Sequence, residues 1–301
     1  MSKRSSGRGG PRGATGRGGE RGAGRASGRG AGRASAPGPG QRRDRPSGRR
    51  DTAGIGGEQV EGRQAVRELL LAGRRPVREV WIVDGLDPSS ELDDIERYAT
   101  RRRARVVVVS RGRMESAART DNPQGVLAHA QPLDEVDLDA ACQGSKRVPF
   151  LLVLDGITDP QNVGALLRSA ECAGVTGVVM ARHRAVHVTP TVTKVAAGAI
   201  EYLAFSMVPG IPAALARLGE LGVTTVGLDA GASRSVYDID IDVSGPVALV
   251  LGSEHQGLAA LTRRRCTVLA SIPQHGAMPS LNVAAAGAVA CFELARRRSS
   301  G

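Results

Sequence analysis

Three stretches of this 301-residue chain set polar side chains and glycines directly after apolar runs. The first is Leu154-Asp155-Gly156-Ile157-Thr158-Asp159-Pro160-Gln161-Asn162-Val163-Gly164-Ala165-Leu166-Leu167-Arg168-Ser169. The second is Leu249-Val250-Leu251-Gly252-Ser253-Glu254-His255-Gln256-Gly257-Leu258, and the third runs from Ser271-Ile272-Pro273-Gln274-His275 through Pro279-Ser280-Leu281-Asn282-Val283. Read by residue type alone they make a polar site of Asn, Arg, Glu and Ser in an α/β domain, because ligands in open parallel sheets bind beyond the carboxyl ends of the strands. Each residue also has a plain structural use. Arg168 suits the surface of a helix, and Asn162 suits a cap near a helix start. Glu254 suits a helix-start carboxylate favoured by the macrodipole, and Ser280 and Asn282 suit caps of a last helix. His255 and His275 read as local hydrogen-bonders.

Several chemistries are poor fits. No strand is followed by GxGxxG, and GxxxxGK(S/T), GxSxG and HExxH are absent, which weighs against dinucleotide, NTPase and simple hydrolase readings. Cys142, Cys172, Cys266 and Cys291 are scattered, with no CxxC and no Cys/His cluster. They read as buried small hydrophobes in a reducing cytoplasm, with no metal site. No apolar run is long enough to cross a bilayer and no secretory core stands near the N-terminus, so the expectation is a cytoplasmic protein without membrane contact.

The net charge is +11, and residues 1–57 account for all of it with 13 Arg and one Lys against three acids. The remainder carries 27 basic and 27 acidic residues. The stretch 1–57 cycles through Gly, Arg, Ser, Ala and Pro with little to bury, so it reads as a disordered basic tail. Such a polycation touches RNA phosphates without sequence preference, or serves only as a solubilising extension.

The elements that must position the polar segments follow in alternation. A first α/β unit over 58–132 has an amphipathic helix from Gly62 to Gly73, a strand Val77–Val83, a helix Leu92–Tyr98 and a strand Val106–Val109. A short helix from Arg111 and a strand Gly125–Ala130 complete it. Residues 133–147 read as a linker. The second unit, 148–298, opens with the strand Phe150–Leu154 and a helix capped by Asp159-Pro160. Strands follow at Gly177–Met180, Val223–Leu228, Val247–Leu251 and Val268–Ile272, with a helix start at Thr189-Pro190. The final helix is expected over Pro279–Arg298, with one apolar stripe of Leu281, Ala285, Ala288, Phe292 and Ala295. Strands apolar throughout and separated by helices predict a parallel sheet covered on both faces.

The three polar segments resemble the three signature motifs of the SpoU family, also called TrmH, of RNA 2′-O-methyltransferases. The match runs in order from about Val148 to Arg298. The unit from Glu58 to Pro132 resembles the L30e-like substrate-binding domain of the ribosomal-RNA branch, whose members include enzymes acting on a guanosine of 23S rRNA. The resemblance implies a parallel-sheet SPOUT domain with a deep trefoil knot, although general topology rules weigh against knots. It also implies S-adenosyl-L-methionine as cofactor, RNA as substrate and a homodimer with the site near the subunit interface.

By the same resemblance Asn162, Arg168, Glu254, Ser280 and Asn282 form the catalytic set, while Gly252, Ile272 and Leu281, with Leu228, contact the cofactor. The family role proposed for Arg168 is activation of the 2′-hydroxyl. A guanidinium stays protonated, so an easier role is to stabilise the developing alkoxide and grip a phosphate. Pro279, Ala284 and the pair Gln274-His275 depart from the usual third motif, which bears on the loop more than on activity. Alternatives are the same chemistry on tRNA or another rRNA nucleotide, including antibiotic-resistance methylation, and a non-catalytic RNA-binding protein. Joint retention of the five polar residues argues against the last.

Overall fold

The computed structural model describes residues 54–143, 147–183, 188–278 and 280–299. Most of the basic stretch, residues 1–53, and Pro279 lie outside the described residues.

The N-terminal half runs β1 (Gln59–Glu61), α1 (Arg63–Ala72), β2 (Val77–Val83), α2 (Ser90–Arg101), β3 (Arg105–Val109), α3 (Arg111–Ala117) and β4 (Val126–Ala130). Its strands lie in the order β1-β4-β2-β3, and only β2 and β3 are parallel. Helix α1 forms because Ala65, Val66, Leu69 and Leu70 recur on one face. It stops at Gly73, whose left-handed φ of 59° aims its N–H at the Leu69 carbonyl. Ser89 and Ser110 cap α2 and α3. Val66, Leu69, Val80, Ile95 and Val126 form the core between the sheet and α1 and α2.

The C-terminal half runs α4 (Leu138–Gln143), β5 (Phe150–Asp155), α5 (Pro160–Cys172), β6 (Gly177–Ala181), α6 (Pro190–Val195), a 3-10 turn (Ala199–Tyr202), β7 (Ala204–Val208) and α7 (Ile211–Glu220). It continues with β8 (Thr224–Leu228), β9 (Val247–Gly252), α8 (Ala260–Arg265), β10 (Val268–Ala270) and α9 (Val283–Ser299). The six strands are all parallel, in the order β10-β8-β9-β5-β6-β7. Leu152 and Leu154 of β5 face one core layer, and Leu151 and Val153 face the other. A central strand buried on both faces must be apolar at every position, which is why periodicity of two is missing from it.

Three features differ from the sequence expectation. The stretch read as a linker holds α4, whose Leu138 and Cys142 pack against the core beneath α7. The last helix begins at Val283, because the Asn282 side chain accepts from the N–H groups of Ala284 and Ala285 at 2.9 and 3.3 Å. Its buried face is Gly287, Ala290, Cys291 and Leu294, while Ala285, Val289 and Phe292 face outward. In the run Val283–Phe292 every side chain is small or apolar, so periodicity cannot choose a face. The cysteines differ too. Cys291 is buried and its thiol is pushed up to about 12 by desolvation, but Cys172 is exposed. Among the described residues no helix is long and apolar enough to cross a membrane.

The two sheets are fastened to each other. Arg75, next to β2, is buried and pairs with buried Glu201 of the 3-10 turn through Nη2–Oε1 at 2.6 Å and Nε–Oε2 at 3.2 Å. Ile55 bridges to Leu133, and both side chains join the core of the C-terminal half.

Candidate active site

The polar segments gather where β5, β8, β9 and β10 end. A cavity of about 200 Å³ opens there. Leu228, Leu251, Gly252, Ile272, Leu281, Val283 and Ala286 supply its apolar wall, and Asp229, Glu254, Gln274 and Ser280 add polar groups. All four residues expected at the cofactor line this one cavity.

Gly252 has a local reason to be glycine. After β9 the chain closes a tight loop in which Ser253 N–H donates to Gly257 O at 3.0 Å and Gly257 N–H donates to Ser253 O at 2.9 Å. A Cβ on Gly252 would lie 2.1 Å from the Gly257 carbonyl carbon, which no side chain tolerates. Glu254 is presented by this loop, and α8 starts only at Ala260, so Glu254 is not a helix-start carboxylate.

Asn162 is not a cap either. Asp159 caps α5, accepting from Gln161 N and Asn162 N at 3.3 and 3.1 Å, which leaves the Asn162 amide free. Its Nδ2 donates to Glu254 Oε1 at 2.8 Å, and its Oδ1 accepts from Asn282 Nδ2 at 2.9 Å. One residue from each segment thus meets in a single hydrogen-bonded row. Asn282 does both jobs the sequence left open, capping α9 and joining the site.

Arg168 stands apart from that row. It is exposed on α5, with no hydrogen-bond or ion-pair partner among the described residues, and it opens into a wider cleft of about 650 Å³. That cleft lies between the halves and is also lined by Gln64, Thr120, Asn122, Gln124, Gln161 and Lys194. It shares no lining residue with the smaller cavity. Arg168 is six residues beyond Asn162, roughly 9 Å along the helix axis, and helical side chains lean back towards the N-terminus.

Sequence reasoning missed the residues that build the cleft. Fully buried Glu61 accepts from Gln59 Nε2, Arg119 N and Thr120 N at 2.6, 2.7 and 3.1 Å, fixing the loop after α3. Lys194 reaches the same loop from α6, donating to Thr120 Oγ1 at 3.2 Å and to the Asn122 carbonyl. Both contacts join residues more than 50 positions apart, and neither leaves a local signal. His255 and His275, read as local hydrogen-bonders, are exposed and make no side-chain hydrogen bond among the described residues. Among those residues no group of His, Cys, Asp or Glu is placed to hold a metal ion.

Comparison with known proteins bears on this arrangement. Residues 149–292 match the SpoU rRNA Methylase family, and residues 59–136 match the family described as RNA 2′-O ribose methyltransferase substrate binding. The 23S rRNA (guanosine-2′-O-)-methyltransferase RlmB of Ralstonia nicotianae is 37% identical over 239 residues, covering 79% of this chain and 95% of that protein. The chain belongs to the SpoU family. The protein of the same description from Shewanella oneidensis is 36% identical over 244 residues, covering 80% of this chain and 98% of its own length. Among solved structures, the SpoU methyltransferase AviRb of Streptomyces viridochromogenes in complex with the cofactor AdoMet superposes with a TM-score of 0.66 at 25% identity. That superposition covers 81% of this chain and 91% of AviRb. The hydrogen-bonded row joins one residue from each of the three polar segments, the farthest pair 120 positions apart in sequence.

Proposed function

We propose that this SpoU protein methylates a ribose 2′-hydroxyl of RNA with S-adenosylmethionine, at a guanosine of 23S rRNA. The observation that carries the reading is the Asn282–Asn162–Glu254 row at the mouth of an apolar cavity. The cofactor's chemistry is an electrophilic methyl on a sulfonium. The cavity suits such a molecule, since apolar walls fit a flat ring and the nearby Glu254 carboxylate favours a positive charge. Leu228, Gly252, Ile272 and Leu281 would hold it. Arg168 would grip a phosphate next to the target ribose and stabilise charge developing on its oxygen. The half over 58–132 would hold RNA against the catalytic half over 148–298, with the cleft between them as its path. The RlmB relatives support the choice of nucleotide. The test is a ribose-methylation map of rRNA and tRNA from a strain lacking the gene. Loss of one 23S guanosine signal is expected, and loss of a tRNA signal instead would overturn the choice of substrate.

The protein is proposed to act as a homodimer in the cytoplasm, where ribosomes are assembled. Phe292 is 51% exposed, Leu281 46% and Val289 36%, an apolar face on and beside α9 that water would otherwise meet. Leu281 also lines the cofactor cavity, so association and cofactor binding would be coupled. Ala288 is half-buried within the chain, whereas Phe292 is open and can be changed without disturbing the core. Phe292→Glu is therefore expected to fold, to sediment as a monomer and to bind S-adenosylmethionine about tenfold more weakly, since an unpaired charge at an apolar interface costs more than about 1 kcal/mol. A dimeric Phe292→Glu protein by analytical ultracentrifugation would place the interface elsewhere.

The knot is proposed to lie where the chain returns from β10 at the sheet edge to α9 on α5. Supporting it, Arg297 donates to Ile239 O at 2.7 Å, and Arg298 donates to Val243 O and Gly245 O at 2.7 Å each, fastening α9 to the loop between β8 and β9. The basic tail is proposed to add affinity without choosing the site. Because Ile55 to Gly57 pack against the folded part, the informative deletion is 1–53. It is expected to flatten the salt dependence of RNA binding. A truncated protein that methylates a different nucleotide would contradict this division.

A further inference from the structure

We propose that Glu254 takes the proton of the ribose 2′-hydroxyl, and that Asn282 and Asn162 hold its carboxylate for that step. The proposal rests on the ribose-methylation reading above. Its starting point is the direction of the hydrogen-bonded row. The N–H groups of Ala284 and Ala285 can only donate, so the atom of Asn282 that faces them is its oxygen. Its nitrogen must then point the other way, and a nitrogen that can only donate fixes the oxygen of Asn162 towards it. The Asn162 nitrogen is left facing Glu254 Oε1. The orientation of both amides therefore follows from the helix terminus, and the row ends on an acceptor.

Glu254 Oε1 is committed to that contact, and Oε2 has no hydrogen-bond partner among the described residues. The other acids near the strand ends are either fully engaged or, like Asp155, away from the cavity lining. Asp159 spends both oxygens on the start of α5. Asp229 accepts from Gly231 N at 2.8 Å and from Arg263 Nε at 2.7 Å. Asp155 holds Ala259 N at 3.0 Å, ahead of α8. The Arg168 guanidinium is a donor-only group and offers no acceptor for a proton. Glu254 alone among these groups is exposed, lines the cavity and keeps an open carboxylate oxygen.

The step balances. The 2′-O–H bond breaks and its proton passes to Glu254 Oε2. The oxygen's electron pair would form the bond to the methyl carbon as the carbon–sulfur bond breaks, and the bonding pair of that broken bond would stay on sulfur, leaving a neutral thioether. Glu254 then releases the proton to water. Asn282 and Asn162 are positioning residues in this scheme, acting through Glu254.

Three variants test it with two readouts. Glu254→Gln keeps the shape and loses the base, and its kcat is expected to fall by about 100-fold or more while KM for RNA stays within about threefold. Asn282→Asp keeps the oxygen that caps α9 but cannot donate to Asn162, so its melting temperature should hold while kcat drops about tenfold. The second readout needs no cofactor. Wild-type protein is expected to bind an rRNA fragment about fivefold more tightly than the same fragment with a 2′-deoxy target, and Glu254→Ala should bind the two alike. The proposal is overturned if wild type methylates the ribose while Glu254→Gln keeps kcat within about threefold, or if Glu254→Ala retains the ribose preference. Wild-type turnover by Asn282→Asp would reduce Asn282 to a cap and remove the row from the scheme. Wild-type protein that transfers no methyl to any ribose would instead defeat the underlying reading, and the proposal with it.

Discussion

Replacing Arg168 by alanine is expected to lower single-turnover methyl transfer by about 10²–10³-fold, with S-adenosylmethionine affinity within about threefold of wild type. The size follows from the proposed role, in which removing Arg168 takes away one fixed charge from an oxygen that becomes negative only during reaction. The selectivity follows from geometry. Arg168 is exposed and unpartnered among the described residues, so its loss leaves no buried group unsatisfied, and stability should change by no more than about 0.5 kcal/mol. It does not line the small cavity proposed to hold the cofactor, so cofactor binding has no reason to change. Arg168→Lys separates charge from shape, because an ammonium keeps the charge but cannot clamp a phosphate with two parallel bonds. Intermediate activity is expected for it. The measurement is tritiated methyl transfer on an rRNA fragment alongside a calorimetric cofactor titration. Near-wild-type turnover by Arg168→Ala would leave Arg168 an ordinary helix-surface residue.

What could be read from the sequence was whatever leaves a local mark. Asp159-Pro160 and Thr189-Pro190 announce helix starts because capping is settled within three residues. Gly73 announces a helix end for the same reason. The apolar runs of β5 and β9 announce a sheet covered on both faces. Strand β1 left no such mark, since three residues cannot display an alternation. Nor did the buried face of α9, where Ala285, Ala288 and Ala290 are interchangeable by type although only Ala290 is buried. The polar row is a different case. Its members were singled out, but their pairing spans 92 and 120 positions, and only the fold sets which amide meets which carboxylate.

The same limit hid the ion pair that fastens the two halves, and breaking it is the largest stability change expected. Arg75 and Glu201 are 126 residues apart, with 2% and 0% of their side chains exposed. Burial pushes the Glu201 carboxyl up, and the Arg75 guanidinium beside it works in the opposite direction. Glu201→Ala would leave a guanidinium enclosed with only the carbonyls of Gly57 and Gln131, at 3.1 and 3.2 Å, as acceptors. Two neutral oxygens do not replace a carboxylate, and removing one partner of a buried pair costs about 3–5 kcal/mol. The pair itself need not be strongly stabilising, because both ions had to leave water to form it. The double change Arg75→Met with Glu201→Leu is accordingly expected to recover most of the loss. Its halves should nonetheless be held less firmly, since a thioether has no hydrogen to donate to those two carbonyls. Raised KM for RNA at near-normal stability would be the sign of that. Urea denaturation of the full chain gives the stability values. A Glu201→Ala protein within about 1 kcal/mol of wild type would mean that water reaches Arg75 once the carboxylate is gone, and that the junction between the halves is looser than its burial implies.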